Sequence, residues 1–130
     1  MILFCDRCLG RSLPLALREH DKPIELHDDH YAQDVHDDIW LPEVGQRGWF
    51  VLTKDEHFRY NVAERQALIE HAVGCFTIVM RKAPWQQMRD SLLLQWPKIE
   101  KVAASETRPF LYMVYSTGPL RRYELGTLQS

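Results

Sequence analysis

Two short stretches constrain this chain most: Ile2-Leu3-Phe4-Cys5 and Trp49-Phe50-Val51-Leu52-Thr53. Each is apolar on both faces, so each reads as a strand buried on both sides, the mark of a parallel sheet covered by helices. Each also runs into an aspartate, the first directly at Asp6 and the second through Thr53-Lys54 at Asp55. Between them, residues 12–20 carry Leu13, Ala16 and Leu17 at helical spacing behind Ser12, and Pro23 to His27 alternates as a weaker strand. Residues 28–38 read as a polar, acidic loop, with Asp37 or Asp38 capping a helix that carries Ile39, Trp40, Leu41 and Val44 and stops near Gly45 or Gly48.

Asn61-x-x-Glu64 resembles a capping box and opens a helix to about His71. Gly74 breaks that helix, and Cys75 to Met80 is a fourth strand. Behind Pro84, the series Trp85, Met88, Leu92, Trp96, Ile99 and Val102 makes one apolar stripe on a long helix, which Pro97 can kink. Phe110 to Tyr115 and Leu120 to Leu125 flank Ser-Thr-Gly-Pro as a hairpin. Strands alternating with helices predict an α/β fold: a three-layer α/β/α sandwich on a mainly parallel, Rossmann-like sheet with a C-terminal β-hairpin. At 130 residues the chain reads as one domain.

Bulk charge excludes a nucleic-acid module recognised by basicity alone, because 18 acids face 16 bases for a net charge of −2. The total hides an asymmetry. Residues 1–43 hold ten acids and four bases, whereas residues 81–130 hold eight bases and four acids. Three cysteines cannot all pair, no apolar run approaches the ~18 residues of a membrane span, and the N-terminus does not read as a signal peptide. Together these lead us to expect a cytoplasmic protein.

In a parallel sandwich, ligands bind beyond the carboxyl ends of the strands. Asp6, Asp55 and the helix start at Asp37-Asp38 belong to that edge, and acids gathered there repel unless a cation lies among them. Hard oxygen donors suit Mg²⁺ or Mn²⁺, metals that activate water against a phosphodiester. Arg7, Arg11 and Lys54 neighbour these acids in sequence and can hold phosphates. Of the His27-Asp28-Asp29-His30 stretch, which with His36 reads as a solvated loop rather than zinc, Asp28 or His30 can line the site. Cys5-x-x-Cys8 resembles a redox motif, but Cys5 should point into the core.

Phe4-Cys5-Asp6-Arg7-Cys8-Leu9-Gly10, His27-Asp28-Asp29-His30, Trp40-Leu41-Pro42-Glu43-Val44-Gly45 and Gly48-Trp49-Phe50-Val51-Leu52-Thr53-Lys54-Asp55 together resemble the VapC-related PIN-like domain group over roughly residues 2–80. The resemblance implies a metal-dependent ribonuclease, in many members the toxin of a toxin–antitoxin pair. It matches Asp6 to the family's acid after the first strand, Asp37 or Asp38 to the acid opening the helix before the third strand, and Asp55 to the acid of the Thr-x-Asp turn. Asp6, Asp37 (or Asp38) and Asp55 are then the catalytic, Mg²⁺-holding residues, with Arg7, Arg11, Lys54 and His30 toward substrate. The family's usual fourth acid has no clear counterpart, Glu56 being adjacent and His57 following. The implied partners are an RNA substrate and a cognate antitoxin, no membrane, and a second copy in a homodimer as a further option. The alternative is a non-catalytic PIN-like module binding a protein or RNA. A third, weaker reading is a phosphatase-like domain with Asp6 as nucleophile, for which Cys8 stands where a second aspartate is usual.

Overall fold

The computed structural model describes residues 1–127. Six strands form one sheet in the order β2-β1-β3-β4-β5-β6, with β1 Leu3–Cys5, β2 Ile24–Leu26, β3 Phe50–Thr53, β4 Gly74–Ile78, β5 Phe110–Val114 and β6 Arg121–Arg122. All neighbours are parallel except β5 and β6, which make the C-terminal hairpin. The helices are α1 Ser12–Glu19, α2 Asp37–Gln46, α3 His57–Tyr60, α4 Val62–Glu70 and α5 Trp85–Ser105.

Every residue of β1, β3 and β4 is buried, as strands covered on both faces must be. On one face Leu3, Cys5, Leu52, Phe76 and Phe110 pack with Leu13 and Leu17 of α1 and with Met88, Leu92, Trp96 and Ile99 of α5. On the other, Phe4, Val51, Cys75 and Leu111 pack with Trp40, Leu41 and Val44 of α2, Phe58 of α3 and Leu68 of α4. The three-layer α/β/α sandwich follows from this alternation of strand residues. α5 continues through Pro97.

Several local expectations change. His36, not an aspartate, is the residue before α2, and Asp37 and Asp38 lie inside its first turn. Gly45 does not stop α2 but lies within it, where a methyl group would collide with the His71 carbonyl at the end of α4. Gly74 starts β4 rather than merely breaking a helix, and a β-carbon there would stand 2.6 Å from both the Phe50 and Phe110 rings. Its hydrogen side chain lets two aromatic rings close over the strand. The one-turn helix α3 has no periodic signal because four residues are too few to show one.

β1 pairs with β2 on one side and β3 on the other, in the register Phe4↔Val51 and Cys5↔Leu52. The chain order reverses there, so the crevice beyond β1 and β3 is the sheet's topological switch point, where open parallel sheets bind ligands. Asp6 and Asp55 follow those two strands.

Candidate active site

A hydroxyl organises the two strand ends. Thr53 is fully buried; its Oγ1 donates to Asp6 Oδ2 at 2.8 Å and accepts from the Asp55 backbone N–H at 3.0 Å. Asp6, itself only 8% exposed, faces the Cys8 thiol at 3.4 Å. Asp55 Oδ1 accepts from the His57 N–H at 2.9 Å, which starts α3 and fixes the carboxylate's direction.

Asp6, Asp37 and Asp55 line one cavity of about 200 Å³, together with Arg7, Cys8, the buried His27 and Trp40. Asp38 is exposed and lines a neighbouring depression with Glu64, to which Asp37 also contributes. Asp55, His57 and Glu64 each offer a ligand atom, all within 4.8 Å of one another. The cluster is thus assembled from the end of β1, the turn after β3, and the first turns of α2 and α4.

Electrostatics report the crowding. Burial, then the Asp6 and Asp55 charges, push Asp37 up to about 6, partly offset by a hydrogen bond from the Trp40 side chain and by His27. Burial, then Asp37 and Asp55, push Glu64 up to about 7. Glu64 Oε2 is also buried without a hydrogen-bond partner. A lone acceptor of that kind, among like-charged carboxylates with the His57 ring nitrogen at hand, fits a divalent cation.

Glu64 is the carboxylate that sequence reasoning read as half of a capping box. Only half of that box forms. Asn61 Oδ1 accepts from the Glu64 N–H at 3.2 Å, but the Asn61 N–H is already taken by the His57 carbonyl at 2.8 Å. The Glu64 side chain therefore has no backbone donor to return to, and it faces the aspartates.

The proposed phosphate binders are spread out. Arg7 lies at the cavity and is exposed. Arg11 pairs with Asp29 at 3.7 Å, and Lys54 lines a different groove. His30 turns to Glu25 at 3.0 Å and packs edge-on to Trp49, so neither it nor Arg11 lines the acidic cavity. Asp28 meets the His27 ring at 3.3 Å and does not line the cavity either. His27 does, so the stretch is not wholly a solvated loop: it forms a 3₁₀ turn whose first residue, His27, is buried while Asp28 and Asp29 are exposed, and just beyond it the Tyr31 hydroxyl donates to Glu43 of α2 at 2.6 Å. Both Cys5 and Cys8 thiols are pushed up by burial, Cys8 to about 11, so neither is a thiolate at neutral pH.

The raised acids have a signed consequence. Asp37 and Glu64 take up protons on folding between their ordinary values, 3.8 and 4.5, and their folded values of about 6 and about 7. Their joint contribution to the stability of the metal-free protein is therefore neutral below about pH 4, becomes increasingly unfavourable as pH rises through that window, and levels off above it. We expect Glu64→Gln to melt higher than the parent above pH 7 and to lose that advantage toward pH 4.5. A melting difference independent of pH would refute the repulsion.

A family model described as a PIN like domain matches residues 1–80. No curated protein and no solved structure matches the chain. No helix among the described residues is long and apolar enough to cross a membrane.

Proposed function

This chain belongs to the PIN-like domain family, and we propose that it is a metal-dependent endoribonuclease cutting RNA phosphodiesters at the carboxylate cluster. The observation that carries the reading is the meeting of acids from four separate elements, one of them with a buried, unpartnered oxygen. We extend the domain over residues 1–130, since β5 continues the sheet in register with β4 beyond the matched region.

Asp6, Asp37, Asp55 and Glu64 would hold the cation, Mg²⁺ or Mn²⁺. When bound, it supplies charge stabilisation to the phosphodiester in displacement and makes water a better nucleophile. The chain's own work is to position and to yield protons. Thr53 keeps Asp6 and the Asp55 turn in fixed relation. Asp37 and Glu64 carry part of their protons near neutral pH and give them up as positive charge arrives. Arg7, exposed at the rim, faces the scissile phosphate.

Within this reading the chain acts as the toxin of a type II toxin–antitoxin pair, its antitoxin being a separate protein. Against the non-catalytic alternative stands Glu64, which offers a fourth carboxylate beside Asp55. Purified protein is expected to cut single-stranded RNA with Mg²⁺ or Mn²⁺ and to stop in EDTA. Expression in a bacterium is expected to arrest growth, and Asp55→Ala to relieve the arrest. RNA left intact at every metal tested removes the nuclease reading; cleavage without arrest removes only the toxin role.

A further inference from the structure

A second cavity, of about 470 Å³, shares the 54–56 turn with the acidic one. Lys54 and Glu56 line it while Asp55, between them, lines the carboxylate site. Arg59, Tyr60, Arg81 and Lys82 complete its polar wall, above an apolar floor from the end of β4.

Arg59 is the unusual member. It is only 7% exposed, yet its Nε has no hydrogen-bond partner. Its Nη1 meets only the Met113 sulfur at 3.5 Å, and its Nη2 lies 4.0 Å from Glu56, an acid whose side chain is 73% exposed. Keeping a guanidinium this dry and this poorly paired is unfavourable, and an anion entering the groove corrects it. A guanidinium fork suits phosphate oxygens. Lys54, Arg81 and Lys82 are exposed and make no ion pair with a carboxylate among the described residues. Tyr60 stacks at 5.0 Å on the Arg59 guanidinium and meets the Tyr123 ring edge-on at 6.4 Å, yet is 61% exposed, so ring surface remains for a base.

We propose that this groove binds a single-stranded nucleic acid beside the phosphodiester offered to the carboxylates, with Arg59, Arg81 and Lys82 on phosphates and Tyr60 under a base. Cations tracking a backbone with an interleaved aromatic ring describe single-strand sites. The inference rests on the nuclease reading for the continuity of that strand into the acidic cavity. It also gives Arg81 and Lys82, the first two bases of the basic 81–130 stretch, a use.

The test is the anisotropy of a fluorescent oligouridylate, titrated with the whole protein in Ca²⁺ over a range of salt. Arg81→Ala/Lys82→Ala changes only exposed side chains. It is expected to weaken binding about tenfold and to flatten the salt dependence by roughly 1.4 in log–log slope, two contacts' worth. Tyr60→Ala is expected to lose about fivefold or more, and to keep that loss at high salt where charge is screened. Arg59→Gln should lose affinity as well; if it fails to fold, the two surface variants still decide. Binding and slope unchanged in both overturn the groove, as does equal displacement by polyglutamate or by duplex RNA. If the double variant binds and cuts RNA as the parent does, the groove falls and the nuclease stands. If the parent cuts nothing but the double variant loses RNA, the groove stands and the nuclease falls.

Discussion

Asp6→Asn is expected to abolish metal-dependent RNA cleavage, on the order of a hundredfold or more, and at the same time to make the metal-free protein melt higher above neutral pH. The two effects have opposite signs for one reason. Asp6 is buried among acids, and its charge raises both Asp37 and Glu64. Removing that charge relieves the repulsion in the metal-free protein and takes away a ligand from the metal-bound one. Asparagine is nearly isosteric, and its amide oxygen can still accept from Thr53, so packing changes little. Even partners behind a metal ligand cost ten- to a hundredfold in affinity or activity when altered, and a direct ligand costs no less. The measurements are RNA cleavage with Mg²⁺ and thermal melting with and without Mn²⁺. A ligand bound at ~100 times its dissociation constant stabilises by about 2.7 kcal/mol, so the parent's melting point should rise visibly with Mn²⁺ and the variant's hardly at all. If Asp6→Asn melts lower without metal and still responds to Mn²⁺, Asp6 is a turn residue and the mechanism is wrong.

Trp40→Ala carries the largest expected loss of stability, about 3–5 kcal/mol, or roughly 10–20 °C in Tm. Trp40 is 1% exposed in α2 and touches rings from three other segments. The Phe4 ring centroid is 5.0 Å away, the His27 ring meets it edge-on at 6.1 Å, and Phe58 lies at 6.5 Å. Truncation would open a hole beneath the site, against a total stability of about 5–15 kcal/mol for a typical domain. Trp40→Phe separates packing from chemistry. It keeps an aromatic ring but removes the side-chain hydrogen bond that lowers Asp37. Asp37 then rises further, and the onset of Mn²⁺ stabilisation should move to higher pH. Chemical denaturation and Mn²⁺ melting across pH check both statements. Trp40→Ala unfolding like the parent would mean that the second core does not depend on this ring; an unmoved onset in Trp40→Phe would mean that the indole does not set Asp37.

Much of this architecture is legible in the sequence because parallel strands announce themselves. Ile2 to Cys5 and Trp49 to Thr53 are apolar at every position, and only burial on both faces accounts for that. Their trailing aspartates are visible for the same reason. The other acids are harder. Asp37 reads equally as a cap and as a ligand, and the presence of His36 ahead of α2 separates the two. Glu64 sits in a sequence that spells a capping box, and only the prior claim of His57 on the Asn61 amide frees its carboxylate. The basic groove is less legible still. Its members come from positions 54, 59, 60, 81 and 82, on two turns and a one-turn helix, and no periodicity links them. Periodicity finds what packs along one element, whereas sites are assembled across several.

The Thr53 hydroxyl also divides the site into two walls that are built differently. It ties the ends of β1 and β3 together through one oxygen, inside a sheet whose neighbouring strands are hydrogen-bonded on both sides. Asp37 and Glu64 stand instead on the opening turns of two helices that rest on the sheet through side-chain packing. The two walls of the site are therefore held by different forces: the strand ends by directional hydrogen bonds, the helical acids by side-chain packing. A mutation that loosens the packing of α2 or α4 is expected to displace Asp37 or Glu64 and leave Asp6 and Asp55 where they are.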